Sequence, residues 1–444
     1  MKYIMNKREF IREVSIWTTL FIIMVLIPLF LALAGHTGRF RGFWVEFGIG
    51  LGFIGIAMMG LQFVLTARFR NVASAFGTDA LLNFHRQAGY VAYLFVLGHV
   101  VVLLAASPYT INYFNPAVNA PRAFALILVL ILLTVLVGLT IWREKLKIPY
   151  EWWRISHAVF AFTIILIGLA HILMVSFYIS EIWQKALWVI LVGFAIAMLV
   201  HVRIIKPYKM SKRPYSVSDL SQETSDVWNL EIEPDGHEGI TFEPGQFAWL
   251  TIGPTPFTIQ QHPFSFSSSS ENSGRYSFTI KELGDFTSTI KTLKTGDRVY
   301  LEGPYGAFTL QSGMKHIFFI VGGIGITPVM SMLRTMNDQN DPRPVTMLYG
   351  SPDLKSAAFR KELDELETTM NLKVVYIFED APEDWEGHHG LVTTDLINSY
   401  LPENLIETDY FVCGPEPLMD IAENHLRDRG VPVYKIHSER FNIV

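Results

Sequence analysis

Residues 85–99 read HRQAGYVAYLFVLGH and residues 157–171 read HAVFAFTIILIGLAH. Both stretches are apolar, and both open and close on a histidine 14 positions apart. On an α-helix that offset is almost four turns, so the two imidazoles of each stretch share a face, about 21 Å apart along the axis. Ionisable side chains at membrane depth are costly and mark function. Two such helices facing each other make two His–His pairs, His85 with His157 and His99 with His171, one toward each side of a bilayer. Paired neutral imidazoles are axial ligands for a b-type haem, so these four are the candidate metal ligands. No Cys-x-x-Cys-His motif is present, so such a haem is not covalently attached. His36 and His201 have no partner at matching spacing and are expected to be non-ligands.

The surrounding chain is built for a membrane. Of 444 residues, half are hydrophobic and only 17% are charged, against about a quarter in soluble proteins. Mean hydropathy is +0.29, and the imbalance is confined to the first half. Six segments reach the ~20 apolar residues a bilayer needs: roughly 15–35, 43–66, 85–106, 122–141, 155–178 and 182–203. The charged-then-apolar N-terminus lacks a small-residue cleavage site, so it reads as a first membrane helix and not a cleaved signal. Sixteen Lys and Arg fall on one side of these spans, among them Arg86, Arg143, Arg154 and Lys206. Only Arg39, Arg41, Arg122 and Lys185 fall on the other. The positive-inside bias puts both termini in the cytosol of a multi-pass plasma-membrane protein. Arg86 and Arg154 sit at the inner ends of their spans, where topology alone accounts for them and pairing with haem propionates is the alternative. A net charge of −5 argues against a nucleic-acid partner, and the single cysteine, Cys413, excludes a disulfide framework or an iron–sulfur cluster.

After residue 206 the pattern changes to short β-like segments, Trp228–Ile232, Gln246–Ile252, Arg275–Lys281 and Arg298–Leu301, which predict a small antiparallel barrel over about 207–311. From residue 316 strands and helices alternate. His316–Val321 is an apolar strand, and the turn Gly322-Gly323-Ile324-Gly325-Ile326-Thr327-Pro328 leads into a helix. Val345–Tyr349, Leu372–Phe378 and Tyr410–Cys413 read as further buried strands of a doubly wound α/β domain. Glycines in such a turn let the backbone approach a pyrophosphate, and the helix N-terminus attracts its charge.

Two further motifs carry a resemblance. His262-Pro263-Phe264-Ser265-Phe266-Ser267 resembles the flavin-binding strand of the ferredoxin–NADP reductase superfamily, in the form of its NADPH oxidase and ferric reductase branch. Cys413-Gly414-Pro415-Glu416-Pro417 resembles that superfamily's nicotinamide-side turn. With paired histidines on the third and fifth of six spans, the whole chain resembles a prokaryotic NADPH oxidase or ferric reductase-like flavocytochrome b. The implied fold is a six-helix transmembrane bundle (1–206, haem-binding), a cytosolic antiparallel β-barrel FAD domain (207–311) and an α/β doubly wound NAD(P)H-binding domain (312–444).

The resemblance also implies roles. Phe264 and Ser265 would line the isoalloxazine with His262 beside it, on a strand that includes Pro263. Gly284 and Thr287 belong to a second FAD segment, where Thr287 and backbone amides would meet the pyrophosphate. Gly303-Pro304-Tyr305-Gly306 would link the flavin and nicotinamide sites. Gly322, Gly323, Gly325, Thr327, Pro328, Cys413, Gly414 and Pro415 would hold the nicotinamide dinucleotide. Glu439-Arg440-Phe441 resembles the C-terminal aromatic segment, with Phe441 covering the flavin ring. Cys413 and Phe441 are thus the candidate catalytic residues at the site of hydride transfer. Where family oxidases often carry Arg after Tyr-Gly, Gly350 is here followed by Ser351, which leaves NADH against NADPH open.

The implied activity is electron transfer from cytosolic NAD(P)H through FAD and two b-type haems to an extracytosolic acceptor. Molecular oxygen giving superoxide, a ferric chelate, and an external redox partner protein are the candidate acceptors. The resemblance, more than any residue, favours the first; two histidine ligands would leave oxygen no iron position to occupy, so transfer at the porphyrin edge would be a one-electron event giving superoxide. Arg39, Arg41 and Arg122 are candidates to stabilise the anion formed, with membrane-interface anchoring as the other reading. Apart from membrane lipid and a small acceptor, the short outer loops point to no obligate protein partner.

Overall fold

The computed structural model describes residues 7–34, 38–68, 78–175, 177–272, 274–311 and 313–440. His36 and Phe441 lie outside the described residues. Among the described residues, six helices are long and apolar enough to cross a membrane: α1 Lys7–Ala34, α2 Phe43–Leu65, α3 Thr78–Ala106, α4 Pro116–Trp142, α5 Tyr150–Val175 and α6 Ile182–Val200. In hydrocarbon every backbone polar group must be satisfied within the segment, which a helix does.

Several helices overrun their apolar stretches. The fourth starts at Pro116, not 122, because the Asn115 side chain accepts from Ala117 N at 2.9 Å and caps it. The backbone then breaks once at Asn119 (φ −157°, ψ 95°). The fifth starts at Tyr150 and ends at Val175, not 155–178. Tyr178 leaves the helix because its hydroxyl bonds the Glu46 carboxylate of α2, while its ring packs edge-on to Phe53 at 6.4 Å. On α2, a Cβ at Gly48 would stand 3.0 Å from Leu103, and one at Gly55 would stand 2.9 Å from Val96. Small residues let α2 and α3 approach closely, as membrane helices need in the absence of a hydrophobic driving force between them.

The second unit opens with a short helix, α7 Lys206–Ser211, and an antiparallel six-stranded sheet. Its strands are β1 Tyr215–Thr224, β2 Val227–Pro234, β3 Phe247–Ile252, β4 His262–Ser265, β5 Tyr276–Lys281 and β6 Arg298–Tyr305. The order is β4-β3-β6-β1-β2-β5. Its two edges meet where Phe266 pairs with Phe278 and Ser267 N donates to Ser277 O at 2.8 Å, so the sheet curls into a barrel. Leu230, Ile232, Ala248, Leu250, Phe266 and Phe278 fill its interior. β1 is absent from the sequence reading because YSVSDLSQET has little apolar alternation; it is held by pairing along its length with β2. A buried network ties α7 to this sheet. Lys206 Nζ lies 2.6 Å from Glu302 Oε1, Tyr305 donates to the same oxygen at 2.8 Å, and Gln261 donates to Glu302 Oε2 at 3.1 Å. Such a pair is tolerable in low dielectric because its remaining lone pairs are satisfied.

The second sheet is parallel throughout. Its strands are β7 His316–Gly322, β8 Val345–Ser351, β9 Leu372–Phe378, β10 His388–His389, β11 Thr408–Cys413 and β12 Ile436–Ser438. The order β10-β9-β8-β7-β11-β12 shows the winding reverse between β7 and β11. Such a reversal opens a crevice at the carboxyl ends of the two strands, where ligands of this class of sheet bind. Here the turns after β7 and β11 meet backbone to backbone. A Cβ on Gly325 would stand 2.5 Å from the Cys413 carbonyl oxygen, and one on Gly414 would stand 2.9 Å from Gly322 N.

Because those neighbours are backbone, they cannot rotate away. Gly325→Ala is expected to cost about 1–3 kcal/mol and to lower the thermal midpoint of the nucleotide-binding part, measured by scanning calorimetry. An unchanged midpoint would show that the two turns are not in contact.

Candidate functional site

The four histidines of the opening stretches face each other in the predicted pairs. The ring centres of His85 and His157 are 6.1 Å apart, and those of His99 and His171 are 6.5 Å apart. Two imidazoles bound on opposite sides of one metal would stand roughly 6.2 Å apart, from two bonds of about 2 Å and about 1.1 Å within each ring. Both pairs suit that arrangement. His99 is further fixed by its Nδ1, 2.8 Å from the Gly48 carbonyl oxygen, which turns Nε2 away from α2. Gly52 makes the room, since a Cβ there would stand 2.7 Å from His99 Nδ1. The Gly48-x-x-x-Gly52 spacing was visible in the sequence as a small-residue motif, and only the contact assigns it to His99. In the other pair, His157 Nδ1 is buried with no hydrogen-bond partner among the described residues.

Two of the three arginines considered for the outer side, Arg41 and Arg122, are engaged with neighbours. Arg41 lies 4.0 Å over the Phe177 ring and its backbone N donates to Glu46 Oε1 at 2.8 Å. Arg122 lies 4.4 Å over Tyr113 and donates to the Asn112 carbonyl at 3.0 Å, while its Nε is buried without a hydrogen-bond partner among the described residues. Arg39 is exposed. Arg86 is exposed and donates to Asn83 Oδ1 at 2.9 Å.

In the barrel, β4 is an edge strand, which accommodates Pro263 without loss of a ladder bond. Alternation along the strand puts His262 and Phe264 on one face and Ser265 on the other. Both rings meet Phe286: His262 stacks on it at 4.1 Å and Phe264 lies parallel to it at 6.1 Å. This aromatic face could support a planar ring system. Ser265 is buried at 6% exposure. Thr287 is engaged in its own turn, its Oγ1 accepting from Leu283 N (2.8 Å) and Gly284 N (2.9 Å). The backbone at Gly284 is extended and open.

At the nucleotide crevice, Gly323 has φ +51°, a left-handed backbone that favours glycine. Thr327 donates to the Ile324 carbonyl (2.9 Å) and lies 3.2 Å from the Thr279 carbonyl of β5, and Pro328 sits in the first turn of α9 Ile326–Asp338 (α8 being the short helix Asp285–Thr289). Cys413 is buried, and burial, with the Glu439 carboxylate nearby, pushes its thiol pKa up, so the thiol is protonated at neutral pH. Gly303 packs on Ala248, and Gly306 (φ +107°) brings its backbone within 3.0 Å, measured from a Cβ, of Glu439 Oε1. Gly414 and Pro415 close the crevice opposite Gly322.

The sequence reading missed what joins the two sheets. Thr327, Ser331 and Thr335, four residues apart on α9, present hydroxyls to the barrel. Ser331 donates to the Ser268 carbonyl at 2.8 Å, and Thr335 accepts from Ser270 N at 3.0 Å. Arg334 donates to the Ser267 carbonyl at 2.7 Å while held bidentately by Glu362 at 2.6 Å. The four-residue hydroxyl period was the available signal.

Three family models match the chain in order: ferric reductase like transmembrane component at residues 51–168, FAD-binding domain at 215–309, and oxidoreductase NAD-binding domain at 319–424. The reductase component of propane 2-monooxygenase from Mycolicibacterium goodii is 31% identical over 237 residues, 50% of this chain and 65% of that protein. A flavohemoprotein from Rhizobium meliloti is 30% identical over 245 residues, 52% of this chain and 60% of its own length. These matches take in less than two thirds of each relative. The FAD/NAD-binding domain of nitric oxide dioxygenase from Vibrio cholerae is 24% identical, covering 51% of this chain and 97% of that domain, with a TM-score of 0.46. A ferric reductase-like membrane component followed on one chain by FAD- and NAD-binding domains matches the architecture of ferric reductase-like and NADPH oxidase-type flavocytochromes.

Proposed function

We propose that the protein carries electrons from cytosolic NAD(P)H, through FAD and two b-type haems, across the plasma membrane to molecular oxygen, with superoxide released on the far side. The observation that supports this reading most is the two imidazole pairs, at ring separations of 6.1 and 6.5 Å, on the same chain as matched FAD- and NAD-binding domains. When bound, the flavin would accept hydride from the nicotinamide and release electrons singly, and the haems would relay them. The residues supply the positions. His85 and His157 would hold the inner haem, His99 and His171 the outer. A haem held by two histidines at each level would pass electrons on without binding the acceptor at its iron. On the cytosolic side His262, Phe264 and Phe286 would support the flavin, and the Gly322–Gly325 and Cys413–Pro415 turns would hold the dinucleotide against it. Cys413, protonated and buried, would act by packing and not as a nucleophile. The orientation follows from the excess of Lys and Arg on one side of the spans.

A donor role toward a partner protein is the second reading, favoured by the relatives whose names describe a reductase component. A ferric chelate is the third.

Fully loaded protein should contain two haems per chain by the pyridine haemochrome assay. His99→Ala and His171→Ala should each leave one, with flavin content unchanged. Gly52→Val should do the same, by pushing into the His99 ring. One haem in fully loaded wild-type protein would overturn the pairing. Residues 207–444, expressed alone, should bind FAD and reduce dyes slowly with NAD(P)H; a folded fragment without flavin would refute the assignment.

The acceptor is read from purified protein supplied with NAD(P)H. Dye reduction sensitive to superoxide dismutase should exceed reduction of ferric citrate at equal acceptor concentration. The reverse order would replace oxygen with iron. If Arg39→Ala, Arg41→Ala and Arg122→Ala each leave superoxide production unchanged, these arginines serve as interface anchors only.

A further inference from the structure

A dinucleotide held in the crevice would run between the barrel and the carboxyl ends of the parallel strands. Its nicotinamide end must lie near the barrel, where α9 is bonded to Thr279 and Ser268. On the β11 side, β12 pairs with β11 and the Glu439 carboxylate stands beside Gly306. The adenosine half is left the carboxyl ends of β8 and β9. Those two ends are joined: Glu379 N donates to the Ser351 carbonyl at 3.2 Å, and Asp380 N donates to the Pro352 carbonyl at 2.8 Å. The result brings Asp353, Glu379 and Asp380 to one rim. Asp353 is held by Lys355 N and Ser356 N, both 2.8 Å from its Oδ1, and Glu379 and Asp380 are exposed. The nearby cations are Lys355, exposed on the following turn, and Arg360, whose Nε is buried with no hydrogen-bond partner among the described residues.

We infer that this rim selects NADH over NADPH, with Glu379 and Asp380 as the specificity-determining carboxylates and Asp353 as their support; the inference rests on the dinucleotide reading proposed above. A free ribose 2′-hydroxyl donates a hydrogen bond to a carboxylate, the usual recognition of NAD in doubly wound sheets. A 2′-phosphate carries about −1.5 to −2 charges at neutral pH and meets like charge instead, which is how an interface rejects the wrong partner. Ser351, in the place where an arginine would have offset this, is buried at 3% exposure and adds no charge.

The test uses full-length protein in detergent, its flavin reduced beforehand with dithionite under argon so that binding occurs without hydride transfer. Dissociation constants for NADH and NADPH are then measured by nucleotide fluorescence. NADH should bind at least ~10-fold more tightly. The double variant Glu379→Gln/Asp380→Asn should narrow the ratio by ~3-fold or more, mainly by strengthening NADPH, and Asp353→Asn should narrow it less. NADPH bound as tightly as NADH by the wild type, or a ratio unmoved in the double variant, would overturn the inference while leaving the dinucleotide site intact. Failure of both nucleotides to bind would remove the dinucleotide reading, and this inference with it.

Discussion

An imidazole in hydrocarbon costs free energy unless its nitrogens have partners, and this chain places four of them in two membrane helices. That demand orders the membrane unit. It fixes which face α3 and α5 turn to each other, because the rings of His85 and His157, and of His99 and His171, must meet. It also sets the character of α2. His99 needs an acceptor for its Nδ1 and room beside it, and α2 supplies the Gly48 carbonyl for one and the missing side chain of Gly52 for the other. The glycines of α2 thus serve helix packing and imidazole orientation together.

The part after Lys206 obeys a related constraint, close approach of backbone. At the reversal between β7 and β11 the two turns come so near that a methyl group on Gly325 would collide with the Cys413 carbonyl. What is excluded from that contact is side-chain bulk, which leaves the crevice lined by backbone. α9 begins at this crevice and, through Ser331, Arg334 and Thr335, is bonded to the strand end that follows the flavin-strand motif. One helix therefore relates the candidate flavin and nicotinamide positions, and does so with directional bonds that a merely apolar contact would lack.

The sequence by itself determined what depends on composition and period. Six apolar stretches are legible because a bilayer demands length and hydropathy, and the histidine pairs because 14 positions return a helix to the same face. Four of the six parallel strands, β7, β8, β9 and β11, are legible as short apolar runs, whereas the short β10 and β12 are not. The barrel strand β1 is not, since pairing with β2 holds it where its own alternation is weak. Helix ends are likewise local: Asn115 extends α4, and Tyr178 leaves α5 for Glu46. Only the tertiary structure decided which partners each residue meets. Thr287, read as a phosphate contact, has its hydroxyl turned into its own loop. Arg41 and Arg122 rest on aromatic rings. Asp353 and the adjacent pair Glu379 and Asp380, more than twenty positions further along the chain, become one acidic rim because strand ends β8 and β9 are bonded side by side. Periodicity is carried by neighbours in sequence and can be read there; a rim made by two strands is a property of their register, which no local pattern records.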